Sequence, residues 1–230
     1  RCLRINDMGS WRKSTDVFRN RFINCLLLFR DPGSTLDEVE IEYAQHFEDD
    51  HTWISTWIHH ALSCQTQVLT VKFPLPVYGP GYLDGPPLVS RYLRRLQVSD
   101  VSLKSKFLNF SSCLTLEYLK IEDSNLKTAS SILSQSLKHQ ASKHCHFKND
   151  GWVRISAPNL IGFRLAPFYG LAPLLDSMPS LVAASITLGE MCEEMCYCGN
   201  LSCGGCDAQA GNNDYHVALQ GLSGATNLKL

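Results

Sequence analysis

At 230 residues, with 44% hydrophobic and 19% charged side chains, the chain can build one sizeable core or two small ones, and its composition excludes a disordered or fibrous protein. Lys and Arg number 21 against 22 Asp and Glu, a balance that lacks the basic footprint of a dedicated nucleic-acid binder. The longest purely apolar run is residues 25–29, far short of the roughly 18 residues that a membrane-spanning helix needs.

The chain begins at Arg1 rather than Met and ends at Leu230 inside an alternating apolar run, so a fragment of a longer protein is expected. Arg1, Arg4 and Asp7 interrupt any hydrophobic stretch, so no signal peptide is expected here. Residues 15–30 carry Phe18, Phe22, Leu26 and Phe29 at i, i+4, i+8 and i+11, the stripe of an amphipathic helix. Ser14 or Thr15 is its expected cap and Asp31-Pro32-Gly33 its stop. Short β-like runs are expected at residues 36–43 and 68–73. Between them a second helix fits residues 50–62, where Trp53, Trp57 and Ala61 lie beside Ile54, Ile58 and Leu62 in two adjacent rows. The Pro- and Gly-rich stretch from Pro74 to Pro87 reads as a long loop without regular structure.

Beyond that loop the chain repeats a unit Leu-x-x-Leu-x-Leu/Val/Ile. It occurs as Leu93, Leu96, Val98; Leu116, Leu119, Ile121; Leu160, Phe163, Leu165; and Leu181, Ala184, Ile186. A degenerate copy starts at Leu137, where Gln140 and Ser142 take the two inner apolar positions and Cys145 and Phe147 restore the pattern. The starting leucines step by 23, 21, 23 and 21 residues, inside the period of roughly 20 to 29 that leucine-rich repeats use. Leu36, Val39 and Ile41 extend the series at one end, and Leu228 and Leu230 at the other. The template continues in Val101 with Leu103, Ser124 with Leu126, and Cys145 with Phe147. One such repeat is too small to bury its own leucines, so only a stack makes a core. The expected fold is an α/β leucine-rich-repeat solenoid, with parallel strands on a concave face and short helices or irregular returns behind them. Residues 1–63 are expected as a helical segment leading into the first repeats, and residues 64–230 as the repeat domain. Strands near 36–43, 93–99 and 116–122 are expected to be neighbours.

Side chains alternate across a strand, so residues between the inward leucines face the open side. That rule selects Glu38, Glu40 and Glu42; Thr70 and Lys72; Arg95 and Gln97; Tyr118, Lys120 and Glu122; His139 and Lys143; and Arg164. The face runs from acidic to mostly basic. Tyrosine and arginine dominate binding hot spots, although for any one of these residues a merely solvated sheet face is the plainer alternative.

Five cysteines, Cys192, Cys196, Cys198, Cys203 and Cys206, fall among glycines in an insertion at about 190–212, within the 47-residue gap from Leu181 to Leu228. Cys203-x2-Cys206 is a usual zinc half-site, while Cys192-x3-Cys196 and Cys196-x-Cys198 compete for the other. No cofactor is expected; zinc at these thiols is the alternative to an unmetallated loop. The other five cysteines stand singly in apolar segments, where a free thiol behaves as a small buried hydrophobe, and a reducing cytosol or nucleus is the expected compartment. Cys145 therefore reads as core rather than as a nucleophile. His144 and His146 beside it, or His59 and His60 near Cys64, suggest chemistry, but adjacent strand residues point to opposite faces. Phosphate loop, G-x-S-x-G elbow and HExxH are all missing, so an enzyme is not expected.

Leu93-Arg94-Arg95-Leu96, Phe107-Leu108-Asn109-Phe110-Ser111-Ser112-Cys113, Leu116-Glu117-Tyr118-Leu119, Ile155-Ser156-Ala157-Pro158-Asn159-Leu160 and Leu219-Gln220-Gly221-Leu222-Ser223-Gly224-Ala225 form a set. With Phe29-Arg30-Asp31-Pro32 and Trp57-Ile58-x-x-Ala61-Leu62, the set resembles the plant F-box/leucine-rich-repeat proteins, especially those of grasses, over nearly the whole chain. The resemblance implies substrate recognition for a cullin-based ubiquitin ligase, whose Skp adaptor docks an upstream F-box. Leu3-Arg4-Ile5-Asn6-Asp7 resembles the segment just after that box, so Skp and cullin are expected as partners only through residues outside this chain. A stand-alone repeat scaffold, or a relic with no ligase role, is the alternative. The target protein is not named by the sequence, and neither nucleic acid nor membrane is an expected partner.

Overall fold

A run that alternates buried and exposed side chains every second residue satisfies its backbone best in a ladder, and copies of such a run at regular spacing can stack in one register. The computed structural model of the chain describes residues 1–7, 13–29, 35–43, 51–74, 81–148, 151–187 and 221–229. Its elements are β1 (Cys2–Asp7), α1 (Lys13–Leu28), β2 (Glu38–Tyr43), α2 (His51–Ser63), β3 (Val68–Lys72), β4 (Gly81–Leu83), β5 (Arg95–Ser99), β6 (Val101–Leu103) and β7 (Tyr118–Glu122), followed by β8 (Ser131–Leu133), β9 (His139–Lys143), β10 (Arg154–Ser156), β11 (Gly162–Ala166), β12 (Leu174–Leu175), β13 (Ala183–Ile186) and β14 (Asn227–Lys229). Nine strands make one sheet, in the order β1-β2-β3-β5-β7-β9-β11-β13-β14, and every pair is parallel. The returns carry two small parallel ladders, β12-β10-β8 and β4-β6. The chain is thus a parallel-strand solenoid, and among the described residues no helix is long and apolar enough to cross a membrane.

The repeat leucines stack as expected. Leu69, Leu96, Leu119, Gln140, Phe163 and Ala184 align across the sheet, as do Val71, Val98, Ile121, Ser142, Leu165 and Ile186. All the apolar members of these rows are buried except Ile186, which packs at the edge of the core. Each buried Leu, Ile or Phe contributes on the order of 1.5 to 3 kcal/mol. After the strands the chain bends inward again, and Val101, Leu103, Ser124, Leu126, Cys145 and Phe147 fill the core as the template requires. The bends at Asp100, Asp123 and His144 have positive φ of 60°, 48° and 51°, so the same left-handed corner recurs on successive rungs at residue types that tolerate it.

Several expectations need correction. Residues 2–7 form a full strand, and β3 stands between the strands of residues 36–43 and 93–99, so those two are second neighbours. The loop after Pro74 contains β4, which pairs with β6; a Cβ on Gly81 would lie 2.3 Å from the Phe73 ring, so this approach demands glycine. Helix α1 starts at Lys13, which puts Ser14 and Thr15 in its first turn rather than at its cap. Phe22, Leu26 and Phe29 are exposed, and the buried side of the helix is formed instead by Asn20, Ile23 and Leu27. The reason is the neighbour: the Trp57 indole N–H donates to Asn24 Oδ1 at 2.8 Å and Asn20 Nδ2 donates to the Tyr43 hydroxyl at 3.5 Å. Buried aromatic polar atoms need partners, and the helix turns its asparagine seam toward them. The Phe18 side chain, Asp31-Pro32-Gly33 and Leu230 lie outside the described residues. Helix α2 keeps the expected face, with Ile54, Trp57, Ile58, Ala61 and Leu62 buried.

Returns differ along the stack. The two helices are the returns of the first two rungs, whereas from β5 to β13 the described returns hold only short strands and turns.

Candidate functional site

Strand alternation and exact register turn the open side of the sheet into three rows of side chains. One row runs Cys2, Glu38, Val68, Arg95, Tyr118, His139, Gly162, Ala183, Asn227. The middle row runs Arg4, Glu40, Thr70, Gln97, Lys120, Ala141, Arg164, Ser185, Lys229, and the third runs Asn6, Glu42, Lys72, Ser99, Glu122, Lys143, Ala166. Every open-face residue selected from the sequence lies in this grid. Those missed from the sequence, Cys2, Arg4, Asn6, Val68, Ser99, Ala141, Gly162, Ala166, Ala183, Ser185, Asn227 and Lys229, follow from the same alternation once the strands have their actual bounds.

At the N-terminal end Glu40 is held by cations from the strands on either side. Glu40 accepts from Lys72 Nζ at 2.7 Å and faces Arg4 Nε at 3.2 Å, and Asn6 Nδ2 donates to Glu42 at 3.3 Å. The hydrogen bond from Lys72 holds the Glu40 carboxyl below its ordinary range, and the same bond raises Lys72.

From β5 onward the face changes character. The Arg95 guanidinium sits 5.0 Å from the Tyr118 ring centroid, and Tyr118 stacks on His139 with centroids 4.8 Å apart and planes 13° from parallel. His139 in turn leans over Gly162: a Cβ there would be 2.8 Å from His139 Nδ1. One stack therefore runs across four rungs and ends where a side chain is missing. Beside it lies an open trough of about 770 Å³ whose floor is made of the small residues Ala141, Gly162, Ala183 and Ser185. Arg95, Lys120, Arg164 and Lys229 line it, and no Asp or Glu does. Lys120 is held by Glu122 at 2.7 Å, while Arg164 and Lys229 have no ion-pair partner among the described residues.

Other titratable groups are arranged differently. Cys145 is fully buried, its Sγ–H directed at Ile121 O (3.5 Å) and Lys143 O (3.4 Å), and burial pushes its pKa to about 12. Burial likewise raises Cys113 to about 11. His144 Nδ1 faces Asp123 Oδ1 at 3.1 Å and His146 stacks on Tyr169 at 4.4 Å, so the two imidazoles flanking Cys145 have partners of their own. Cys64 is buried too, but Cys2 and Cys25 are exposed, contrary to the expectation that the solitary cysteines are core. His59 Nδ1 lies 2.7 Å from Ser55 O, which only accepts, so that nitrogen carries the proton and the buried Nε2 has no partner among the described residues. Cys192, Cys196, Cys198, Cys203 and Cys206 lie outside the described residues, among which no three His, Cys, Asp or Glu side chains converge as metal ligands.

Family models, curated proteins and solved structures were all compared with this chain, and none of them matches it.

Proposed function

We propose that the open face of the solenoid is the recognition surface of a leucine-rich-repeat protein-binding domain without catalytic activity, working as the substrate-recognition part of an F-box ubiquitin-ligase subunit. The observation that carries the binding role is the contrast along one sheet: Glu40 on β2 is paired with Lys72 and Arg4, whereas the trough beside β7 to β14 presents Arg164 and Lys229 without an ion-pair partner among the described residues, an aromatic stack and a small-residue floor. Arginine and tyrosine are enriched at protein interfaces and among their hot spots. The non-catalytic reading is supported by the burial of Cys113 and Cys145, which closes these two thiols off from any substrate at the surface. The ligase role rests on the resemblance of the repeat segments to plant F-box/leucine-rich-repeat proteins, and a reducing cytosol or nucleus goes with it.

Affinity purification of the full-length parent protein tests both levels. Co-purification of Skp and cullin together with a target that is lost on Tyr118→Ala, Arg164→Gln substitution is the expected result. A target retained by that variant would overturn the recognition face, and a target without Skp or cullin would make the protein a stand-alone scaffold.

A further inference from the structure

The middle row of the open face places a cation on every second rung. Lys120 on β7, Ala141 on β9, Arg164 on β11, Ser185 on β13 and Lys229 on β14 are consecutive partners in register, so positive charges alternate with side chains too short to cover them. Neighbouring strands are about 4.8 Å apart, which sets the cations roughly 10 Å from one another, and a peptide extended as a polyproline II helix, with about three residues per turn and about 3.1 Å rise per residue, returns every third side chain to the same side at about that spacing. The rungs from β7 to β14 therefore match an extended segment with an acidic side chain at every third position.

We propose that the trough binds a short, extended acidic segment of a partner protein, of the pattern Glu-x-x-Glu-x-x-Glu, laid across the strands with its carboxylates on Lys120, Arg164 and Lys229. This rests on the reading of the open face as a protein-recognition surface and names the chemistry of what it recognises. Between the carboxylates, intervening side chains meet the Tyr118–His139 stack on one side and the floor at Ala141 and Ser185 on the other. No Asp or Glu lines the trough, and Glu122, bonded to Lys120 at 2.7 Å, shares that lysine with the incoming carboxylate, so Arg164 and Lys229 carry most of the attraction. A long polyanion such as single-stranded RNA fits less well. Its backbone would have to leave the cationic rungs or continue onto Glu40 and Glu38, and the chain as a whole, with 21 basic against 22 acidic residues, offers no wider positive field.

The test uses the purified chain and three fluorescein-labelled probes read by anisotropy: the peptide Glu-Leu-Ser-Glu-Leu-Ser-Glu, its glutamine counterpart, and oligouridylate. The acidic peptide is expected to bind about tenfold or more tightly than the glutamine peptide, to weaken with salt, and to lose about tenfold in the Arg164→Gln, Lys229→Gln double variant. Lys106→Gln, an exposed change outside the trough, is the control and leaves binding unchanged. Equal binding of the acidic and glutamine peptides, or tighter binding of oligouridylate, overturns the proposal. Panning a random dodecapeptide library then separates the two levels of failure. Peptides without acidic enrichment whose binding is lost in Tyr118→Ala keep the recognition face and reject the acidic ligand, whereas recovery of no face-dependent peptide rejects both.

Discussion

The first three strands and the last six share one continuous sheet, yet the two regions solve their packing differently. Between Cys2, Glu38, Val68 and Arg95, which are partners in register, the chain advances 36, 30 and 27 residues; from Arg95 through Tyr118, His139 and Gly162 to Ala183 it advances 23, 21, 23 and 21. A long rung has room for a helix of 16 or 13 residues, and α1 and α2 occupy the first two. A rung of 21 to 23 residues spends about five on its strand and two corners on reversing direction, which leaves only a strand-like return. Rung length thus decides what stands behind the sheet, while the sheet itself runs through unchanged because its ladder needs only backbone groups in register. The open face divides along nearly the same line, into an end of mixed charge where Glu40 is paired with Arg4 and Lys72, and a cationic one.

The largest expected effect strikes the helical region. Trp57→Ala removes a fully buried indole that is edge-on to Tyr43 at 5.5 Å and bonded to Asn24, and it should cost about 3 to 5 kcal/mol in urea denaturation. A loss below about 1 kcal/mol would mean that α1 and α2 are not bound into the core as described.

A gain is expected in the strand region. On β9, Gln140 and Ser142 are 2% and 1% exposed, and the Gln140 amide atoms and the Ser142 hydroxyl have no hydrogen-bond partner among the described residues, where β7 buries Leu119 and Ile121 in the same register. Burying such groups unpaired costs about 1 to 3 kcal/mol, so Gln140→Leu with Ser142→Val should raise the unfolding midpoint by that order of stability. If the double variant is destabilised, ordered water inside the stack satisfies these groups and the rung is already complete.

The smallest effects distinguish the two ends of the face. Glu40→Gln breaks the contacts with Lys72 and Arg4 and should cost at most about 1 kcal/mol, because the partners are largely solvated. Arg164→Gln, with no ion pair to lose among the described residues, should leave stability unchanged. The pH dependence follows from the shifts. Glu40 is lowered from 4.5, so the unfolded chain binds more protons there, and the stabilisation is present above that value and lost as pH falls through the lowered one. Lys72 is raised from 10.5, so its share persists below that value and disappears as pH rises through the raised one. Equal pH profiles for the parent and Glu40→Gln would remove the distinction.

Much of the architecture is legible in the sequence because a stacked repeat is a local code: period, inward leucines and strand alternation all depend on residues a few positions apart. That is why the rungs from Leu93 to Ile186, the core places of Cys145 and Phe147, and the open-face positions from Glu38 to Arg164 could be read directly. Tertiary structure alone decided the rest. Phe22, Leu26 and Phe29 make a perfect helical stripe, yet α1 turns the other way because Trp57 and Tyr43, distant in sequence, need its asparagines. Gly162 looks like an ordinary strand residue until the His139 ring from the neighbouring rung is found lying over it. Pairing of cations with carboxylates is likewise a property of the assembled sheet: Arg4, Glu40 and Lys72 meet across three strands, whereas Arg164 and Lys229 sit two rungs apart with Ser185 between them, and only the register could show which charges meet an opposite charge among the described residues and which do not.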